Sequence, residues 1–196
     1  MSHRTDTDTS TNTGTGIGLL DTTRPPVVYR EMKPRDKAAV RRLWRRFSEP
    51  ETIGDWFPRA IDDGDFFVYG VTAVRGTTVV GFGLLGWYTA EELADYLTET
   101  PEVDAAYPAP VLHLGVVDEQ HENQGIATRL MQARVQHAQQ QDASYLWGAS
   151  WRRSGKDSAP VFERCDFQPV HHVNDYYSDR TWCPNCDSPA VKVVEA

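Results

Sequence analysis

An apolar run, a polar loop and a glycine-led helix follow one another in residues 112–129, which read LHLGVVDEQHENQGIATR. The run predicts a strand, and the residues from Gly125 onward predict a helix. The first turn of a helix has N–H groups without acceptors, and the helix dipole adds partial positive charge there. Gly125 lets a ligand approach the backbone closely, Ala127 is small for the same reason, and Thr128 adds a hydroxyl. The segment therefore predicts a site where backbone amides hold a diphosphate, although an ordinary helix start has the same residues.

Strands and helices alternate on both sides of this segment. Val40, Leu43 and Trp44 recur at helical spacing in a helix that begins at Pro34, which predicts one buried face. The order of elements predicts a sheet that is partly parallel and partly antiparallel. The predicted strands cover residues 27–30, 65–74, 78–88, 111–117, 144–150 and 167–177, and the further helices cover residues 89–106, 125–141 and 160–165.

The chain divides into one domain and two flanking segments. Ser, Thr, Asp and Gly dominate residues 1–24, and this composition predicts a disordered tail. Residues 25–180 hold all the predicted strands and helices, and their number fits a single domain. Residues 181–196 contain a Cys-x-x-Cys pair and form a C-terminal extension.

Charge and composition exclude several classes of protein. A net charge of −8 argues against a sequence-blind nucleic-acid binder, which needs a basic surface. No stretch approaches the ~18–20 apolar residues of a membrane helix, and the polar N-terminus has no apolar core of a secretory signal. Three cysteines cannot form a disulfide framework. We therefore expect a soluble, cytoplasmic protein without membrane or nucleic-acid partners.

The charged residues have an unusual make-up. Only four of the 20 basic residues are Lys, and 17 Asp accompany 11 Glu. An acidic surface adapted to high salt explains this pattern, because hydrated carboxylates keep a protein soluble there. A GC-rich genome, which favours Arg over Lys, explains it equally well.

Residues 122–127, Glu-Asn-Gln-Gly-Ile-Ala, resemble the loop of pattern Arg/Gln-x-x-Gly-x-Gly/Ala that binds the pyrophosphate of acetyl-CoA in GNAT N-acetyltransferases. Residues 79–82 and residues 162–167, Phe-Glu-Arg-Cys-Asp-Phe, resemble other segments of that family, and the resemblance covers residues 27–178. It implies an α/β (α+β) GNAT fold, in which about four helices flank a mixed central sheet of about six to seven strands that is splayed at the motif strand. It also implies transfer of an acetyl group from acetyl-CoA to a primary amine by direct attack in a ternary complex.

The resemblance assigns contacts with the co-substrate acetyl-CoA to the motif strand and its loop. Amides of the splayed strand polarise the thioester carbonyl in the manner of an oxyanion hole. A glycine in this strand, Gly115, fits a bulge at the split. The implied contact residues are Gly115, Val116, Val117, Glu122, Asn123, Gln124, Gly125, Ile126, Ala127 and Thr128.

Two residues depart from the family pattern. Glu122 stands where the family has Arg or Gln, and a carboxylate near a pyrophosphate weakens binding unless it points to solvent. Phe162 stands where many members have the tyrosine that protonates the leaving thiolate. Either another group is the acid, or the thiolate of CoA leaves without assistance. The alternative side-chain donors in the loop are Gln120, His121, Asn123 and Gln124.

His113 is the candidate general base. It lies on the motif strand nine residues before Glu122, where arylalkylamine acetyltransferases have a histidine that helps to deprotonate the amine. A pKa near neutrality suits a base that takes a proton from a substrate ammonium. A half-buried strand histidine with a structural hydrogen bond is the alternative interpretation, and the sequence leaves both open.

The pair Cys183 and Cys186, with Pro between them, is half of a zinc knuckle. A full site needs four ligands, and the nearby candidates are Cys165, His171 and His172. Adjacent residues of a strand point to opposite faces, so at most one of the two histidines joins readily. A thiol pair, a disulfide and a degenerate knuckle without metal remain open alternatives to zinc.

Three functions from different classes fit these residues. The first is acetyl transfer to a primary amine of a small molecule or a protein, by a chain that is either a monomer or a homodimer. The second is an acyl-CoA-binding regulatory module with weak catalysis, which Glu122 and Phe162 favour. The third is a zinc-dependent interaction protein on the same fold, which depends on the cysteine pair.

Overall fold

The computed structural model describes residues 25–47, 69–97, 106–151, 158–172 and 189–195. The predicted tail, the ends of two predicted strands at residues 65–68 and 173–177, and the pair Cys183 and Cys186 lie outside these ranges. No helix in the described ranges is long and apolar enough to cross a membrane.

A mixed sheet of seven strands forms the centre of the fold. The strands follow the spatial order β1-β2-β3-β4-β5-β7-β6, in which β4 and β5 are parallel and the other neighbours are antiparallel. This mixed sheet confirms the predicted fold class. The strands are β1 Val27–Glu31, β2 Tyr69–Arg75, β3 Thr78–Tyr88, β4 Ala109–Val117, β5 Tyr145–Trp151, β6 Gln168–His172 and β7 Pro189–Glu195.

Helices flank the sheet, and their starts follow from local hydrogen bonds. A short 3-10 turn, Pro34–Asp36, precedes the first helix, because the Asp36 carboxylate accepts the backbone N–H of Lys33 at 2.7 Å. The second helix starts with a capping box in which Thr89 and Glu92 accept each other's backbone N–H. The described helices are α1 Lys37–Phe47, α2 Ala90–Leu97, α3 Ile126–Gln140 and α4 Ala159–Glu163.

The two faces of the sheet are covered by different helices. The apolar side of α1 packs on one face of β3 and β4, as its periodicity predicted. On the opposite face, α3 packs across β2 and β3. Residues of β3 and β4 therefore lie between two buried layers: Val40, Leu43, Trp44, Phe82, Leu84 and Val116 on the α1 side, and Val71, Ala73, Val80, Ile126 and Leu130 on the α3 side.

The predicted strands do not include β7. It pairs with β5 from Tyr145–Glu195 to Trp151–Pro189, and it pairs with β6 on its other side. Its residues were assigned to the C-terminal extension, yet they form an inner strand of the sheet. Strands β5 and β6 follow each other in sequence, but β7 lies between them in the sheet.

A bulge interrupts the pairing of β3 with β4. Leu84 pairs with Leu114, whereas Leu85 pairs with Leu112, so His113 is the extra residue. The bulge expected at Gly115 was wrong, because Gly115 pairs in register with Gly83. A bulge leaves one residue without a partner on the opposite strand, and here that residue is the candidate base, His113.

The parallel strands β4 and β5 separate soon after they meet. Their register contains only the pairs Val111–Trp147 and Leu112–Gly148. Residues 113–117 of β4 therefore pair only with β3 in the described part of the chain. This opening agrees with the predicted splay, and it exposes one edge of β4.

Candidate functional site

The open edge of β4 presents alternate backbone amides. The Asp118 N–H donates to the Val80 carbonyl at 2.9 Å, which makes the pair formed by these two residues a hydrogen-bonded one. Hydrogen-bonded and non-bonded pairs alternate along an antiparallel ladder, so Val116 and Leu114 also direct their amides to β3. The amides of Gly115 and Val117 then point toward the splay. Of the three amides expected at this edge, the geometry thus directs two outward and that of Val116 inward.

The N-terminus of α3 follows the strand after a short polar loop. Gly125 precedes the helix with a φ of 75°, in the left-handed region that favours glycine. The first bond of the helix runs from the Arg129 N–H to the Gly125 carbonyl at 3.1 Å. The amides of residues 126–128 precede that bond and are thus available to a ligand. A Cβ built on Gly125 meets no atom within 4 Å, so the approach to these amides is open.

An open depression of about 540 Å³ lies against this helix end. Two of its lining side chains, Arg129 and Arg164, are cationic, and the Arg164 Nε donates to the Thr128 hydroxyl at 3.4 Å. Backbone amides and arginines together suit a phosphate group. The lining residues are Asn123, Gly125, Thr128, Arg129, Gln132 and Arg164.

The arginines of this depression were missed in the sequence. Arg129 lies one helical turn after Gly125, and this spacing is a signal that the sequence offered. Arg164 follows α4, far along the chain, and only the packing of α4 beside α3 brings it to Thr128. No local pattern predicts that contact.

Glu122 is exposed and does not line the depression. The concern that its carboxylate opposes a pyrophosphate held only if the side chain pointed inward. The structure instead matches the alternative in which it faces solvent. This loop position therefore adds little repulsion, because water screens an exposed charge.

The other loop residues make bonds within the loop and with its neighbours. The Gln124 side chain accepts from Arg75 at 2.7 Å and donates to the Gln120 carbonyl at 3.5 Å. Asp118 accepts the Gln120 N–H at 3.0 Å and also binds Arg46 at 3.0 Å. His121 lies 3.7 Å from the same carboxylate. These bonds hold the loop in shape, and of the four alternative donors only Asn123 lines the depression.

His113 lies where β4 leaves β5, on the bulge. Its Nδ1 is 2.8 Å from the Tyr88 hydroxyl, and its Nε2 has no contact with solvent. Burial lowers the pKa of His113 to about 4, because the charged imidazole loses its hydration. This value lies below the pKa near neutrality that was expected of a base. At neutral pH the ring is therefore uncharged, so one ring nitrogen carries a proton and the other accepts hydrogen bonds.

Phe162 lies close to the point where the strands separate. A Cβ built on Gly148 would lie 2.7 Å from the Phe162 ring, so the ring packs against the β5 backbone at that glycine. Phe167 meets the ring edge-on at 5.0 Å between centroids. Phenylalanine has no hydroxyl to protonate a thiolate. The Tyr88 hydroxyl, in contrast, contacts the bulge through His113. No pattern in the sequence points to Tyr88 as part of the site.

The described residues give zinc no support. Cys183 and Cys186 lie outside them, and only the backbone of His171 and His172 is described. Cys165 is half-buried, and burial raises the pKa of its thiol, which disfavours the thiolate that zinc needs. Within the described ranges, no three His, Cys, Asp or Glu side chains come close enough to hold a metal ion.

Comparisons with known proteins give one consistent result. The family model described as acetyltransferase (GNAT) family matches residues 34–167. No curated protein sequence matches the chain significantly. Among solved structures, Arabidopsis thaliana NAA60 in complex with acetyl-CoA is similar over 87% of this chain and 98% of its own, with 15% identity and a TM-score of 0.65.

Two further structures show the same fold with different acceptors in their names. The ribosomal-protein-S18-alanine N-acetyltransferase from Escherichia coli is 11% identical over 87% of this chain and 94% of its own, with a TM-score of 0.61. An agmatine N-acetyltransferase mutant is 13% identical over 87% of this chain and 99% of its own, with a TM-score of 0.64. At these identities the likeness concerns the fold alone.

Proposed function

Since this chain belongs to the GNAT acetyltransferase family, we propose that it transfers an acetyl group from acetyl-CoA to a primary amine in a ternary complex. The observation that carries the proposal is the continuity of two amide surfaces. The open edge of β4 ends at Val117, and the open N-terminus of α3 begins at Gly125. One extended thioester ligand with a diphosphate spans both.

The residues at both ends fit acetyl-CoA. The amides of residues 126–128, with Arg129 and Arg164 beside them, suit the phosphates. The outward amides of Gly115 and Val117 suit the oxygen of the acyl carbonyl, which gains negative charge as the amine attacks. The cofactor contributes an acetyl thioester, whose C–S bond breaks as the new C–N bond forms.

Protons must move for the reaction to balance. The attacking amine loses one proton, and the released thiolate gains one or leaves as the anion. His113 is uncharged at neutral pH. It is the first residue of β4 after the last β4–β5 pair, so it lies where the two strands separate. When its Nδ1–H donates to the Tyr88 hydroxyl, 2.8 Å away, Nε2 is the nitrogen that accepts a proton. We assign His113 to orient the amine and accept its proton, and Tyr88 to orient His113.

The acceptor approaches from the side of the sheet that α2 covers. Tyr88 belongs to a buried cluster with Leu93 of α2, so the bond between Tyr88 and His113 lies on that side. The names of the similar structures include both a protein alanine and agmatine. We therefore propose a primary amine of either a small molecule or a protein as the acceptor.

A thiol-release assay with acetyl-CoA and a panel of amines tests the proposal. The panel contains agmatine, other diamines, lysine and peptides with free N-termini. We expect release of CoA above background hydrolysis with at least one class, and none with Gly125→Trp, which fills the open approach to α3. No turnover with any amine, together with no binding of acetyl-CoA in calorimetry, contradicts the proposal.

An acyl-CoA-binding regulatory module is the second candidate. The low pKa of His113 and the missing hydroxyl at Phe162 favour it, because both weaken proton transfer. Tight binding of acetyl-CoA without release of thiol across the whole panel supports this second function over the first.

A further inference from the structure

Arg134 is a buried cation in the middle of α3. Its exposed fraction is 4%, and its guanidinium donates to backbone carbonyls and to the Met131 thioether. The Nε donates to the Leu130 carbonyl at 3.2 Å on its own helix. The Nη1 donates to the carbonyls of Leu114 at 3.0 Å and Leu84 at 3.3 Å, which lie on β4 and β3.

The space for this guanidinium is made by two missing side chains. Gly83 and Gly115 are register partners on β3 and β4. A Cβ on Gly83 would lie 2.7 Å from the Arg134 Nε, and one on Gly115 would lie 3.2 Å from Nη2. Facing residues of a non-bonded antiparallel pair normally fill this space with their side chains. The helix and both strands are thus matched to the same cation.

The Leu114 carbonyl links this cation to the open edge of β4. In a trans peptide unit, the C=O of one residue and the N–H of the next point in opposite directions. The Leu114 carbonyl faces β3 and accepts from Arg134, so the Gly115 N–H of the same unit faces the splay. A hydrogen bond to the carbonyl of a peptide strengthens the N–H of that peptide as a donor.

We propose that Arg134 is a positioning residue that polarises the Leu114–Gly115 peptide, so that the Gly115 N–H binds the oxygen of an acyl thioester more strongly. The inference depends on the proposed function, because it needs an acyl thioester at the splay. Burial lowers the pKa of Arg134 only to about 10, so the side chain stays charged at neutral pH. Its charge acts through one peptide unit and does not touch the substrate.

The size of the effect follows from two general magnitudes. Loss of one oxyanion donor slows an enzyme by about 10²–10³-fold. One hydrogen bond strengthens the next in a chain by roughly 10–30%. Taken on a logarithmic scale, removal of the Arg134 bond therefore lowers kcat by about 2- to 8-fold. The dissociation constant for CoA, which has no acyl group, stays unchanged.

Two variants perturb the contact from opposite sides. Arg134→Met keeps the length of the side chain and removes its charge. Gly83→Ala keeps the arginine but pushes its guanidinium away from the strand carbonyls, because the flexible end of the side chain yields to the new methyl. The control is Gly70→Ala, which adds the same methyl to a glycine of the neighbouring strand β2, where it meets Met32 rather than Arg134 or the backbone of β4.

The decisive measurement is the carbon-13 NMR shift of the thioester carbonyl of labelled acetyl-CoA bound to each full-length protein. A stronger hydrogen bond moves this signal downfield, and a purely structural role for Arg134 does not alter it once the protein is folded and saturated. We expect the wild type and Gly70→Ala to share one shift, and Arg134→Met and Gly83→Ala to move together toward the shift of free acetyl-CoA. Thermal unfolding curves show which variants are folded.

The outcomes separate this inference from the proposed function. A wild type that does not bind acetyl-CoA overturns both. A wild type that binds it, with carbonyl shifts equal in Gly83→Ala and Gly70→Ala, overturns only the role of Arg134. Because Gly83→Ala retains the arginine, it decides the matter even where Arg134→Met does not fold.

Discussion

Protonation of His113 should destabilise this protein progressively as the pH falls. Burial lowers its pKa to about 4 in the folded state, whereas an exposed histidine of the unfolded chain has the ordinary value of 6.5. At a pH between these two pKa values, His113 is protonated in the unfolded state and neutral in the folded state. The free energy of unfolding therefore has its full value above pH ~6.5 and decreases as the pH falls toward ~4. This is the sign expected for a histidine whose pKa is lowered by folding.

The magnitude follows from the two pKa values. Their difference of about 2.5 corresponds to about 3 kcal/mol of unfolding free energy once the pH is below both. At pH 5, where the folded protein still keeps the ring neutral, the loss is about 2 kcal/mol. This is a large fraction of the net stability of an ordinary domain.

Urea unfolding at pH 7, 6 and 5, at constant ionic strength, measures this loss. His113→Gln keeps a hydrogen-bonding side chain but does not titrate, so its curve is the reference at each pH. The difference in unfolding free energy between wild type and variant should shift by about 2 kcal/mol from pH 7 to pH 5, against the wild type. His137→Gln is the comparison variant: His137 stacks on Tyr69 with 3.8 Å between ring centroids, and burial lowers its pKa too, so its difference should shift in the same direction but by less.

A difference that stays constant from pH 7 to pH 5 would refute the burial argument for His113. The same experiment constrains the chemistry. If the pKa is about 4, any rise of kcat/KM with pH in the neutral range belongs to the amine and must persist in His113→Gln. A neutral limb that vanishes in this variant would restore His113 as a base with an ordinary pKa.

The remaining predictions concern the cofactor site and the start of α1. Gly125→Trp should abolish binding of acetyl-CoA in calorimetry, whereas Gly125→Ala, which shares the backbone strain at a φ of 75° without the bulk, should retain measurable binding. Arg164→Gln should weaken that binding by about 2- to 5-fold at low salt, and Glu122→Gln should leave it unchanged, since only the first residue lines the depression. Asp36→Asn should destabilise the protein by about 2 kcal/mol at pH 7 and by less at pH 3, as measured by urea unfolding. The Arg30 hydrogen bond lowers the pKa of the Asp36 carboxyl, so the wild type itself loses this contribution as the pH falls below ~4.

Local patterns predicted most of the fold. The helical spacing of Val40, Leu43 and Trp44 is the packing face of α1, and the turn at Gly76 joins β2 to β3. The start of α1 is later than predicted, because Asp36 caps Lys33 and tightens the first turn. β7 was missed, since its position between β5 and β6 depends on pairing with distant residues that no local period records.

The site was predictable only where its parts are consecutive. The strand, the loop and the N-terminus of α3 lie within residues 112–129, and the sequence predicted all three. Arg164 and Tyr88 come from other segments, and packing alone brings them to Thr128 and His113. Burial also decides the pKa of His113, and a residue's burial depends on the whole fold rather than on its neighbours in sequence.

Arg134 shows how a sequence can contain a signal without its explanation. It follows Leu130 at helical spacing on the buried side of α3, where an apolar residue packs without loss of hydration. A buried guanidinium is costly to desolvate and is a poor source of stability. Its partners, the Leu114 carbonyl and the gap at Gly83 and Gly115, lie on strands whose pairing the sequence does not reveal. Because packing alone gives no reason for a cation there, the reason is best sought in the strand whose peptide it binds, and that strand forms the open edge of the proposed acyl site.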